Sequence, residues 1–321
     1  MSEADDDIDE PTHDHDRAPR QGWVRAFFSM AVAAANEWWS DNTFRLAASL
    51  AFYVLFSIAP IMVITIAVAE LALGYQRDAA QSGVVQQFAE LAGPAAAEAV
   101  EGMLSSAQRT GGGPLALVIG IGTLLLGSTV VFAELQSALN QIWDVRQRPG
   151  TSMWRGVVRT RLRSFAIALS VGFLLLVSLV LSAAVAALEK YLGEHMPEAA
   201  AAWRVANVAL SFVVVAVLFA LIYKYLPDAR ITWRDVGVGA AVTSFLFTLG
   251  KYVIGLYLGQ TAVASSYGAA GSLAVLLIWF YYSGLICFYG AEFTQVFARR
   301  YGSRIRAKHY AERVGAKPDE V

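Results

Sequence analysis

The sequence predicts an all-α polytopic membrane protein, a bundle of six transmembrane helices with interfacial amphipathic helices beside it. Three observations carry that expectation. Of 321 residues 56% are hydrophobic and only 16% charged, with a mean hydropathy of +0.48, outside the range of an ordinary soluble domain. The apolar residues gather into runs long enough to cross a hydrocarbon core of about 30 Å. The basic residues gather on one side of those runs, the pattern of the positive-inside rule.

Residues 1–22 precede every apolar run. Eight of the 26 acidic residues fall within the first 16 positions, without periodicity, so this segment reads as a disordered acidic tail. It is the opposite of a secretory signal, which begins basic and turns apolar. The His13-Asp14-His15-Asp16 run reads as part of that solvated tail in preference to a weak metal site. Beyond it the chain holds 25 basic against 18 acidic residues, an excess suited to anionic lipid. The single cysteine, Cys287, excludes a disulfide framework and a cysteine metal site.

Trp23 to Trp39 carries tryptophan at both ends and is too polar to span. It fits an interfacial helix or an elbow against the bundle. Asp41 and Asn42 break this pattern and cap the next helix. From Arg45 to Glu70 no charged residue intervenes, and Leu46–Ala72 as a helix extends roughly 40 Å. This is the first span, about 46–73. Inside it Pro60 removes a backbone donor, which makes it either a tolerated kink or a hinge. The loop to Gly113 holds two short amphipathic helices, Val84–Leu91 and Pro94–Ala107, as a simple connector or as a lid.

The second span, 114–133, is loosened by Gly120, Gly122 and Gly127 and ends at Glu134. Arginines 146, 148, 155, 159, 161 and 163 come next, with Trp143 and Trp154 among them. Beside membrane spans, Arg155, Arg159, Arg161 and Arg163 are expected to grip lipid headgroups and not nucleic acid. The remaining spans are 165–188, 205–225, 236–258 and 271–293. Leu226-Pro227-Asp228 turns the chain between the fourth and fifth, and a Gly255-x-x-x-Gly259 pair sits late in the fifth. From Arg299 the tail is basic and helical in character, leaving 307–321 as a basic cytoplasmic tail. With the N-terminus inside, cytoplasmic segments hold twenty basic residues and outer segments four, so both termini are expected in the cytoplasm.

Three stretches resemble the YihY/BrkB family of bacterial inner-membrane proteins: AASLAFYVLFSIAPIMV (Ala47–Val63), ELQSALNQIWDV (Glu134–Val145) and YGAAGSLAVLLIWFYYSGLICFYGAEFTQVFA (Tyr267–Ala298). The last is the most specific, because apolarity alone demands neither Tyr-Tyr-Ser nor Gly-Ala-Glu. The likeness runs from Trp23 to about Arg306, and the acidic tail is an addition. It implies a six-span domain over 23–306, in the inner membrane, without an agreed activity. Some members carry an older ribonuclease label, others a link to virulence or serum resistance. The residues argue against a nuclease, since none of the four histidines lies near a metal-ligand cluster.

What remains is polar chemistry inside the spans, which is costly enough to be functional by default. Glu292 lies near the inner end of span six with Tyr289 one turn earlier on the same face. Arg45 and Glu134 belong at a similar depth, so an Arg45–Glu292 ion pair is one reading. The other is a carboxyl facing a cavity with Tyr53, Tyr282 and Tyr289. Lys251 falls in the outer half of span five, snorkelling or meeting Glu70. No cofactor is implied, catalysis is not expected, and the oligomeric state is open. The expected function is transport or handling of an amphipathic or lipidic envelope substrate, with a scaffold that recruits envelope partners as the alternative. Membrane lipids are the expected partners in either case.

Overall fold

The computed structural model of the protein describes residues 22–57, 93–109, 130–148, 200–260, 271–302, 305–308 and 310–314, with scattered positions between 82 and 89. The third span, most of the second, Pro60, Glu70 and the arginines at 155, 159, 161 and 163 lie outside the described residues.

Helix α1 covers Trp23–Ser40. Asn42 then takes a left-handed backbone, φ 55°, a conformation that short polar side chains tolerate better than most. Its carbonyl accepts the first bonds of α2, Thr43–Ser57, the described part of the first span. Helix α3 is Pro94–Arg109, the amphipathic helix expected in the long loop. Helix α4 occupies 130–142 and so continues two turns past Glu134, where the sequence reading ended it. Helices α5 (Ala200–Tyr225), α6 (Trp233–Gln260) and α7 (Gly271–Arg300) complete the set. Among the described residues three helices are long and apolar enough to cross a membrane, within α5, α6 and α7.

Helix α7 is the axis of the described bundle, packing on α6, α1 and α3. Close approach makes this possible. A Cβ at Gly290 would lie 1.8 Å from Thr243 Oγ1 and 2.6 Å from Tyr223 Oη, and one at Gly239 would lie 1.7 Å from Thr294 Oγ1. Lipid tails are as apolar as the helices, so dispersion contacts between small residues hold such a crossing together. Hydrogen bonds add to it: Tyr223 of α5 donates to the Cys287 carbonyl of α7 at 2.6 Å, and its hydroxyl is hydrogen-bonded to Thr243 Oγ1 of α6 at 3.0 Å. At the other end of α6 and α7, α3 buries Ala96, Ala99 and Val100 against Ile254, Val275, Leu276 and Trp279. The helix in the long loop is therefore part of the packed body.

Where α7 ends, the tail departs from expectation. Among the described residues beyond Arg300 it is not helical but folds back as two short strands, β3 (Arg306–Ala307) and β4 (Ala311–Arg313). They pair antiparallel with β2 (Ala229–Arg230) and β1 (Val145–Gln147) respectively. Asp228 organises this lobe from the turn before β2. Its buried carboxylate accepts from Gln136 Nε2 (3.1 Å), Asn140 Nδ2 (3.0 Å) and Tyr310 Oη (3.0 Å). A buried carboxylate satisfied by three donors is stable where a bare one is not.

Candidate functional site

Glu292 stands on α7 eight residues before its end, about 12 Å by helical rise. It is 0% exposed, and neither carboxyl oxygen has a hydrogen-bond partner among the described residues. Three charged groups reach it electrostatically: Asp41 in the elbow between α1 and α2, Glu37 in the last turn of α1, and Arg299 in the last turn of α7. The carboxyl of Asp41 lies beside it, close enough for a hydrogen bond once one of the two carboxyls carries a proton.

The elements around this carboxyl are fixed by unrelated contacts. Trp38 of α1 donates its indole N–H to the Leu285 carbonyl at 3.1 Å, and Tyr289 donates to the Ala31 carbonyl at 3.1 Å. Met30 and Ala34 pack on Phe293 and Val296 in the same seam. In the turn just after α4, Trp143 Nε1 donates to the Ala291 carbonyl at 3.3 Å. Asp144 follows in a left-handed conformation, φ 51°. Its Oδ2 accepts from Gln295 Nε2 at 3.3 Å and Arg299 Nη2 at 3.4 Å, while Arg299 Nη1 donates to Glu37 Oε1 at 3.0 Å. Four carboxyl groups thus gather around one guanidinium, three partly open to solvent and Glu292 closed behind them.

Electrostatics follow from that crowding. Burial raises the Glu37 carboxyl above its ordinary 4.5; Arg299 pulls it back, and Asp41 and Asp144 push it further up. Burial also raises Asp41 above 3.8, with Asp144 adding to the shift, against Glu292 and Arg299. Among the described residues no group of three or more His, Cys, Asp or Glu side chains is arranged to hold a metal ion. What the arrangement can do is take up and release protons beside a buried carboxyl.

The sequence-predicted residues divide accordingly. Tyr289 stands one turn before Glu292 on α7, but its hydroxyl donates to the Ala31 carbonyl. The Arg45–Glu292 pair is not formed: Arg45 is exposed and absent from the charges that reach Glu292. In α2 the bundle side is taken by Leu46, Ala47, Leu50 and Ala51. Arg45, Ala48, Phe52 and Phe56 form the opposite, exposed stripe. Tyr282 packs on α6, where a Cβ at Gly250 would lie 2.7 Å from its ring and hydroxyl. Tyr53 is half-buried beside Phe52, its carbonyl accepting from Ser57 at 2.9 Å. Glu134 and Lys251 are half-buried and do not reach Glu292; Lys251 Nζ lies 5.5 Å from the Tyr252 ring centroid. Sequence reasoning missed Glu37, Asp41, Asp144, Gln295 and Arg299 as a group. The one local signal was the polar break at Asp41-Asn42.

A family model described as "Virulence factor BrkB" matches residues 34–314. The chain belongs to the YihY/BrkB family. The match takes in every residue of the Glu292 cluster and all four strands, so the cluster belongs to the YihY/BrkB domain. Among relatives, the UPF0761 membrane protein of Verminephrobacter eiseniae is 30% identical over 261 residues, covering 79% of this chain and 58% of that one. That of Halorhodospira halophila is 28% identical over 286 residues, covering 89% and 59%. This YihY/BrkB chain therefore spans about three fifths of the length of the curated relatives it matches. No solved structure matches it.

Proposed function

We propose that this membrane protein transports or handles an amphipathic or lipidic envelope substrate in the bacterial inner membrane, with Glu292 as its proton-responsive group. One observation carries the reading: both oxygens of the Glu292 carboxyl are buried without a partner among the described residues. A carboxyl costs free energy in a membrane interior and persists where it is paired, reaches the interface or serves a polar path. The first two do not describe Glu292. Asp41 and Glu37, only partly buried, connect it to the aqueous end of the helix, so protons arrive from that side. Catalysis and nucleic-acid binding form no part of the proposal.

The scaffold reading draws support from the close packing of Gly290 on Thr243 and Tyr223, since a crossing that tight leaves no room for a substrate between α5, α6 and α7. It gives Glu292 no task, however, and is the second choice.

The test is a Glu292→Gln gene in a deletion strain, with lipid composition of the envelope and membrane-folded amount measured together. The expected result is a near-normal folded amount with the lipid profile of the deletion. Full complementation by Glu292→Gln would remove the reading. So would poor folding that Asp41→Asn repairs in the double variant, because the charges would then be coupled through stability alone.

A further inference from the structure

Two arginines face each other on paired strands at the end of the bundle where α7 terminates. Arg230 of β2 and Arg306 of β3 are register partners. Directly opposite residues of an antiparallel pair leave it on the same face, with Cβ atoms about 5 Å apart. Both side chains are exposed, and Ala229 beside Arg230 is buried on the other face.

Neither guanidinium has an ion pair or hydrogen bond among the described residues. The acids nearest Arg230 in sequence do not pair with either arginine. Asp228 is buried and holds Gln136, Asn140 and Tyr310, and the Asp235 carboxyl is buried with no hydrogen-bond partner among the described residues. Other cations add to the field. Arg234 is exposed in the first turn of α6, and Lys224 and Lys308 donate to the carbonyls of Ile231 and Pro227. Like charges opposed on a ladder are destabilising, so a bound anion relieves a repulsion that the fold itself sets up.

The height of this pair narrows the anion. Tyr225 closes α5 and Trp233 opens α6; they are 47% and 54% exposed, with ring centroids 6.0 Å apart. Lys224 Nζ lies 5.5 Å from the Trp233 ring centroid. Exposed aromatic rings at the ends of two membrane-crossing helices mark the level of the headgroups. Arg230 lies in the turn between them. Guanidinium groups suit phosphate because their planar fork gives it two parallel hydrogen bonds.

We propose that Arg230 and Arg306 together bind the phosphate of an anionic phospholipid headgroup. This site stands apart from Glu292 and does not depend on the function proposed above.

The test uses the full chain purified in a neutral detergent, with apparent melting temperature and lipid retention in native mass spectrometry as readouts. Phosphatidylglycerol should raise the melting temperature more than phosphatidylcholine or inorganic phosphate. Arg230→Gln with Arg306→Gln should retain roughly tenfold less phosphatidylglycerol. Arg313→Gln, an exposed arginine opposite Val145 on β4, should retain it as the wild type does. Equal retention by the double variant, or an equal loss in Arg313→Gln, overturns the proposal. A phosphate effect as large as that of phosphatidylglycerol would place a free anion there instead of a lipid and overturn it too. Should the double variant not fold, the wild-type comparison decides alone: no advantage of phosphatidylglycerol over phosphatidylcholine ends the proposal.

Discussion

At Gly290 the bundle leaves no space for a methyl group, because Thr243 and Tyr223 already occupy it. Gly290→Ala should therefore destabilise the protein by about 1–3 kcal/mol, the range for overpacking a filled interior. Gly255→Ala, where nothing lies within 4 Å, should leave the apparent melting temperature in detergent unchanged. Equal effects at the two positions would show that helix propensity and not contact governs both. Gly290 stands in the Tyr-Gly-Ala-Glu run whose specificity is visible in the sequence, but its reason is not. The residue it must admit is Thr243, 47 positions earlier on another helix. Asp228 hides its role for the same cause, since its donors lie 88 to 92 residues before it and 82 after it. Glu292 was legible as a buried acid because its helix is apolar on both sides of it. Its neighbours were not, because Glu37 and Asp41 look like ordinary polar residues until α1 folds back on α7.

Between α1 and α2, the elbow carries a pH dependence with a definite sign. Burial raises the carboxyls of Glu37 and Asp41 above 4.5 and 3.8, so the folded state holds their protons more tightly than the unfolded chain. Their contribution to stability is then complete below those ordinary values and is lost as pH rises through the raised ones. Acidification from neutral pH toward those ordinary values should raise the apparent melting temperature, and Asp41→Asn should flatten the response while matching or exceeding the wild type at neutral pH. A melting temperature that falls on acidification to the same extent in both would contradict this. Elements as such were largely legible: α3, α5, α6 and α7 stand where amphipathic or apolar periodicity places them. Their ends were not. Phe293 closes the apolar run, yet α7 continues to Arg300, because α1 covers the extra turns with Met30 and Ala34 and binds Arg299 and Arg300 through Glu37 and Ser29. The strands, two or three residues each, are too short for alternation to show, and they exist through pairings across the whole chain.

For the molecule as a whole, α3 and the strand lobe lie at opposite ends of α6 and α7, so α3 and the lobe are expected on opposite sides of the membrane. With twenty basic residues counted on the tail side, that side is expected to be cytoplasmic. A reporter active only in the periplasm should work when fused within 74–113 and fail when fused after Arg306; the reverse pattern would invert the orientation of every feature described. The lobe also imposes an order on synthesis. Strands β3 and β4 leave the ribosome after α7, yet they complete sheets begun at Val145 and Ala229. Until residues 306–313 are translated, β1 and β2 wait as open edges and the Asp228 carboxylate lacks the Tyr310 hydroxyl. The lobe therefore closes only after α7 has been made, and quality-control proteases that survey this face have an interval in which the open edges of β1 and β2 mark a lobe still incomplete.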